Sequence, residues 1–259
     1  MKRVYVFDVD NTLRSTKQQR VLPQTVKLIE TLRKNKDYVL VLATGRGPSK
    51  MDVLDEYRHL FDYLIMVNGA VVLKGDEIIY EDPIDDDDVK MVIEDTKERG
   101  ISMGMVGFDK EAVSLFDEHI EYALKGYTSI KPLVDPEFYK ENHVYQLWVF
   151  HKDQEELSKI AKSYPQFKHY FWHYGGVDLV YPRISKENAV KIVMKNYEGY
   201  ELICVGDGQN DLEMIKLADH GILMGNSRWQ DEASDIKKLI APHIEEDKLF
   251  DFFEENGLL

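Results

Sequence analysis

VYVFDVDNTL, residues 4–13, changes character abruptly at its midpoint. Val4, Tyr5, Val6 and Phe7 form a near-continuous apolar run, the pattern of a strand buried on both faces. Asp8 and Asp10 follow at once. Two carboxylates this close repel, and desolvating them costs more still. The end of this strand therefore needs a positive partner or good solvation.

The same transition recurs along the chain. VLVLA (39–43), LIMV (64–67), LICV (202–205) and ILM (222–224) are apolar runs that end in Thr44, Asn68, the Gly206–Asp207 pair and the Gly225–Asn226 pair. Helical patterns lie between them. Residues 23–35 put Val26, Ile29 and Leu32 on one face behind Pro23, and residues 186–197 do so with Ala189, Ile192 and Val193. Strand, helix, strand at this spacing predicts an α/β fold, a doubly wound parallel sheet of the Rossmann-like kind. Such a sheet binds ligands beyond the carboxyl ends of its strands, and here small polar or acidic residues gather at those ends.

The middle of the chain has shorter, more mixed apolar runs. The sequence predicts an inserted α+β domain over 83–183, leaving a discontinuous core of 1–82 and 184–259. The prolines of EDPI (81–84) and YPRIS (181–185) mark its borders. HVYQLWVF (143–150) reads as a half-exposed strand, VDLVYP (177–182) as a last strand, and 85–99 and 153–163 as helices. Asp85–Asp88 either opens a helix, where negative charge suits the macrodipole, or forms a calcium site. HYFWHYGGVD (169–178) is either a packed strand with a tight turn or an aromatic face for a sugar ring, with His173 and Asp178 the residues to inspect.

Composition narrows the partners. Among 259 residues, 47 acids against 33 bases give a net charge of −14, which disfavours nucleic acid and anionic membranes. No apolar run has the length of a membrane helix and no signal sequence is visible, so a cytoplasmic protein is expected. The single cysteine, Cys204, lies in an apolar run and reads as a buried, inert thiol.

If strands 4–7 and 202–205 are neighbours, Asp8, Asp10, Asp207 and Asp211 meet in one cluster. Carboxylates without histidine or cysteine point to a hard cation such as Mg²⁺. Lys186 opens a predicted helix, where the dipole disfavours it. Either Ser185 caps that helix and Lys186 faces solvent, or Lys186 reaches into the acidic cluster. Thr44, in ATGR (43–46), either ends its strand structurally or, with the following backbone N–H of Gly45, receives an anion's oxygens.

DVDNT, ATGR, SKENA and GDGQND occur in the order and approximate spacing of the haloacid dehalogenase-type phosphatases. With NGA (68–70) and MGN (224–226), the chain resembles their Cof-like sugar-phosphatase branch, which carries a large α/β cap of type C2. The resemblance implies that Asp8 is the nucleophile forming an aspartyl phosphate. Asp10 is then the general acid and base, and Thr44, Gly45, Lys186 and Asn210 bind the phosphate. Asp8, Asp207 and the backbone carbonyl of Asp10 would hold Mg²⁺. Asp211 supports the site or caps its helix. The implied reaction is hydrolysis of a small phosphate ester, a sugar phosphate first among candidates, by a monomer or small homo-oligomer. A phosphomutase using the same phosphoaspartate and a non-catalytic regulatory module are the alternatives. Three positions depart from the family pattern. Asn11 replaces a common glycine and suits a left-handed turn. Arg14 replaces an apolar residue and either meets substrate or lies on the surface. Glu187 replaces a glycine after the lysine.

Overall fold

A computed structural model describes residues 1–125, 131–172 and 175–259. They divide into two compact units. One comprises Met1–Gly45, Met51–Tyr80 and Ser185–Leu259, and the other Arg46–Lys50 and Glu81–Ile184.

The first unit is built on an eight-stranded sheet. Its centre is β1 (Arg3–Phe7), flanked in parallel by β2 (Tyr38–Ala43) and by β4 (Glu201–Gly206); β3 (Tyr63–Met66) continues one side and β5 (His220–Met224) the other. Val4 and Val6 face one way, into a core with Val41, Ile65, Val190 and Cys204. Tyr5 and Phe7 face the other, against Phe253 of the C-terminal helix. This alternation, with both faces covered, is why the run is apolar throughout. Each such fully buried side chain contributes about 1.5–3 kcal/mol. Helix α1 (Pro23–Arg33) starts on Pro23, and α2 (Lys186–Met194) is capped by Ser185, whose hydroxyl accepts from Asn188 N. Cys204 is fully buried, which raises its thiol pKa and makes it inert.

In the second unit a six-stranded sheet carries Met103–Val106, Gln146–Phe150 and Gly176–Val180 as antiparallel neighbours. The half-exposed strand expected at 143–150 is instead wholly buried over Gln146–Phe150. Trp148 explains part of this. Its ring lies over Gly104, where a Cβ would come within 2.5 Å of the indole, and meets Trp172 edge-on at 5.6 Å. The acidic run opens the helix Asp86–Glu98, and the Tyr181 hydroxyl lies 2.6 Å from Asp88 Oδ2 and 3.3 Å from Asp85 Oδ2. That is a structural use of the aspartates; no cation cluster includes them among the described residues. Trp172 donates to Asp178 Oδ1 at 2.5 Å, a packing contact within its own sheet, while His173 and Tyr174 lie outside the described residues. No helix among the described residues is long and apolar enough to cross a membrane.

Candidate active site

The carboxyl ends of β1 to β5 converge in the first unit, and the hydrogen bonds there show how the sequence builds the site. Asp8 ends β1 and donates its N–H to Val205 O at 2.9 Å, locking the strand end to β4. Beyond it the chain turns sharply. Val9 O accepts from Leu13 and Arg14, and Asn11 adopts φ 61°, a left-handed conformation that asparagine tolerates in place of glycine.

Lys186 is 0% exposed and Asp8 is 7% exposed. The Lys186 ammonium donates to Asp8 Oδ1 at 2.7 Å and to Asp211 Oδ1 at 2.6 Å. Of the two sequence readings, Lys186 thus takes the inward one, and Ser185 caps the helix as well. The backbone of NGA helps set this up. Gly69 (φ +106°) approaches Ser185 so closely that a Cβ would lie 2.4 Å from its carbonyl oxygen. Glu187 pairs with Lys191 at 2.7 Å on the outer side of the helix, so its departure from glycine leaves the helix start intact.

Asp211 is fully buried, and both its oxygens are used. Oδ1 takes Lys186, and Oδ2 accepts from Asp207 N at 3.0 Å and Gly208 N at 2.8 Å. The carboxylate folds back under the end of β4, where a Cβ on Gly206 would come within 2.4 Å of Asp211 Cγ. The helix-cap reading of Asp211 holds for the short 3-10 turn Gln209–Asp211, where Oδ2 accepts from the N–H of Gly208, the N-cap of that turn, and not for the helix that follows. Asp211 stands at the N-cap position of α3 (Leu212–Leu217) but makes no side-chain capping bond there, because lysine and the turn amides occupy it.

Asp8, Asp207 and Asp211 each present an oxygen within 4.8 Å of the others. The expected cluster of four carboxylates is thus three. Asp10 is near enough for its charge to act on Asp8. Its carboxylate, however, is drawn to Arg14 Nη1 at 3.0 Å. Burial first, and then the charge of Asp211, push the Asp8 pKa up to about 7 against the pull of Lys186. Burial, Asp8 and Asp211 raise Asp207 well above the usual carboxylate range. For Lys186 burial works to lower the pKa, but Asp211 and Asp8 outweigh it and hold the ammonium protonated. One lysine does not neutralise three carboxylates, two of them buried and that of Asp207 half-buried. The donor set, all oxygen and over-charged, fits a hard divalent cation.

Thr44, at the end of β2, is bound on both sides: its N–H donates to Ile65 O at 2.9 Å, and its carbonyl accepts from Asn68 N at 3.0 Å. Gly45 leaves room for Asn68, whose Oδ1 would lie 3.1 Å from a Cβ there. Asn210 donates to that same Asn68 Oδ1 at 2.7 Å. The sequence placed Asn68 and Asn226 at the ends of apolar runs but gave neither a role. Asn68 proves to link Thr44 to Asn210, and Asn226 donates to Asn11 O at 3.0 Å and to Asp207 Oδ2 at 3.2 Å. A polar residue closing an apolar run was the available signal for both. Arg46 falls in the second unit.

This sheet order gathers acids and a buried lysine at the carboxyl ends of the central strands, where an open α/β sheet receives its ligands. Residues 5–253 match the haloacid dehalogenase-like hydrolases, and the chain belongs to that family. YkrA of Bacillus subtilis, whose named phosphatase activity is itself provisional, is 26% identical over 99% of this chain and 98% of its own. Among solved structures, the subclass IIB sugar phosphatase BT4131 superimposes with TM-score 0.86 at 24% identity, covering 100% of both chains. BT1666, a phosphatase from Bacteroides thetaiotaomicron, gives 0.87 at 22%, covering 100% of this chain and 96% of its own. These structural likenesses establish the shared fold.

Proposed function

We propose that this protein is a Mg²⁺-dependent phosphomonoesterase acting on a small phosphorylated metabolite, in the first instance a sugar phosphate, through an aspartyl phosphate on Asp8. The observation that carries this reading is the fully buried Lys186 shared between Asp8 and Asp211 at the end of the central strands. It offsets the charge of a carboxylate nucleophile and of an incoming phosphate together. The sugar-phosphate preference is supported by the name of BT4131.

In this reading an Asp8 oxygen bonds to phosphorus as the ester oxygen departs, and Asp10 gives that oxygen a proton. Water then attacks phosphorus, Asp10 takes the water's proton, and Asp8 is restored. Thr44, Gly45, Lys186 and Asn210 hold the phosphoryl oxygens. Asp8, Asp207 and the backbone carbonyl of Asp10 would hold Mg²⁺, since both oxygens of Asp211 are already taken. When bound, the ion offsets charge that builds on the transferring group.

The test is phosphate release from a panel of sugar phosphates, nucleotides and p-nitrophenyl phosphate. Release is expected to need Mg²⁺, stop with chelator, and fall by at least about 10³-fold in folded Asp8→Asn. Isomerised sugar without released phosphate would instead identify a mutase. No turnover of any ester would return the chain to a binding role.

A further inference from the structure

Arg14 is a surface-type residue that the fold takes inside: it is 5% exposed. Both of its backbone polar groups are tied to the turn that carries Asp10. Its N–H donates to Val9 O at 2.8 Å, and its carbonyl accepts from Asn11 N at 2.7 Å. Its guanidinium is divided between two partners, Asp10 Oδ1 at 3.0 Å through Nη1 and Gln19 Oε1 through Nη2. Gln19 sits across the small hairpin formed by Arg14–Ser15 and Arg20–Val21. It holds φ 56°, unusual for glutamine, while its amide donates to Thr16 O. A non-glycine residue in that conformation persists where surrounding bonds over-determine it. The hairpin is anchored in turn, since Ser15 and Gln18 both donate to Glu245.

We infer that Arg14 is a positioning residue for proton transfer, holding the Asp10 carboxyl in one rotation through its bond to Oδ1. Gln19 holds Arg14 in place. This inference rests on the phosphomonoesterase reading and adds to it a residue outside the phosphate and cation sites. An aspartate carboxyl turns readily about its last torsion, and a donor that must meet a leaving oxygen within hydrogen-bond reach gains from having that torsion fixed.

The consequence is a dependence on the leaving group. An ester with a good leaving group needs little protonation, and one with a poor leaving group needs much. The test compares kcat/KM for p-nitrophenyl phosphate and phenyl phosphate, which reports phosphoryl transfer and not the later hydrolysis of the intermediate. In Arg14→Ala, phenyl phosphate is expected to lose about 10–100-fold, mostly in kcat, and p-nitrophenyl phosphate less than about threefold. Arg14→Lys should recover part of the loss on the poorer ester. Gln19→Gly, which relieves the backbone and removes only the support, should show the same signature more weakly. It keeps the test valid if Arg14→Ala does not fold. Equal losses on both esters, or none, in whichever variants fold would overturn the inference and leave Arg14 structural. Wild-type protein inert on both esters would instead overturn the phosphatase reading, and this inference with it.

Discussion

The two units solve the same packing problem for different ends. In each, a glycine on a central strand is overlain by a large or charged neighbour that any side chain would displace. In the first unit Gly206 makes room for the Asp211 carboxylate, and in the second Gly104 makes room for the Trp148 indole. One clearance serves electrostatics and the other serves bulk. The buried polar groups differ likewise. Asp211 binds a lysine and two amides that belong to the site, whereas Asp178 binds an indole that belongs to the packing. A buried charge in this molecule is thus informative only together with its partner.

The sharpest way to break the comparison is at the two glycines. Gly206→Ala should displace the Asp211 carboxylate and with it Lys186, lowering phosphatase kcat/KM by about 10²-fold or more. Near-normal turnover in a folded Gly206→Ala would show that Asp211 does not set the lysine's position.

The second effect is electrostatic. Burial and the charge of Asp211 push the Asp8 pKa up to about 7 from the ordinary 3.8, so between those values the folded chain keeps a proton that the unfolded chain has lost. That contribution to stability is fully present below the lower value and is lost as pH rises through the upper one. Asp207 is shifted in the same direction. A cation requires the ionised forms, so its stabilising effect should grow over this window. Melting temperature is expected to rise by about 5 °C with Mg²⁺ at pH 7.5 and hardly at all at pH 5. An equal rise at both would place the cation elsewhere.

The smallest effect belongs to the second unit. Gly104→Ala overpacks against Trp148 and should cost about 1–3 kcal/mol of stability. Turnover of p-nitrophenyl phosphate by the folded fraction should stay within about threefold of wild type. A loss as large as that of Gly206→Ala would erase the distinction between the units.

The parallel core was legible because its strands are covered on both faces, which leaves runs such as VLVLA that little else produces. The gathering of Asp8, Asp207 and Asp211 followed from strand order, whereas the inward course of Lys186 was one of two readings its helix position left open. Three things were not legible. Asp10 turning to Arg14 depends on the shape of a turn, and a one-dimensional pattern does not record which way a side chain leaves it. Asp211 folding back depends on the missing Cβ of Gly206, a clearance visible only in three dimensions. The burial of Gln146–Phe150 depends on an aromatic neighbour more than twenty residues away in the chain, which strand periodicity does not encode.

The contact between Lys186 and Asp8 spans 178 residues of chain. As the protein leaves the ribosome, β1 emerges first and its partner β4 almost last, so the central strand waits for most of synthesis with one edge unpaired. Closing so long a loop carries a large entropic cost if the intervening chain is slack, and much less if that chain has already condensed. Residues 81–184 form most of a compact unit by themselves. A unit that condenses early shortens the effective loop that remains to be closed. The contact between Lys186 and Asp8 is therefore expected to form late in folding, once the chain between the two has condensed.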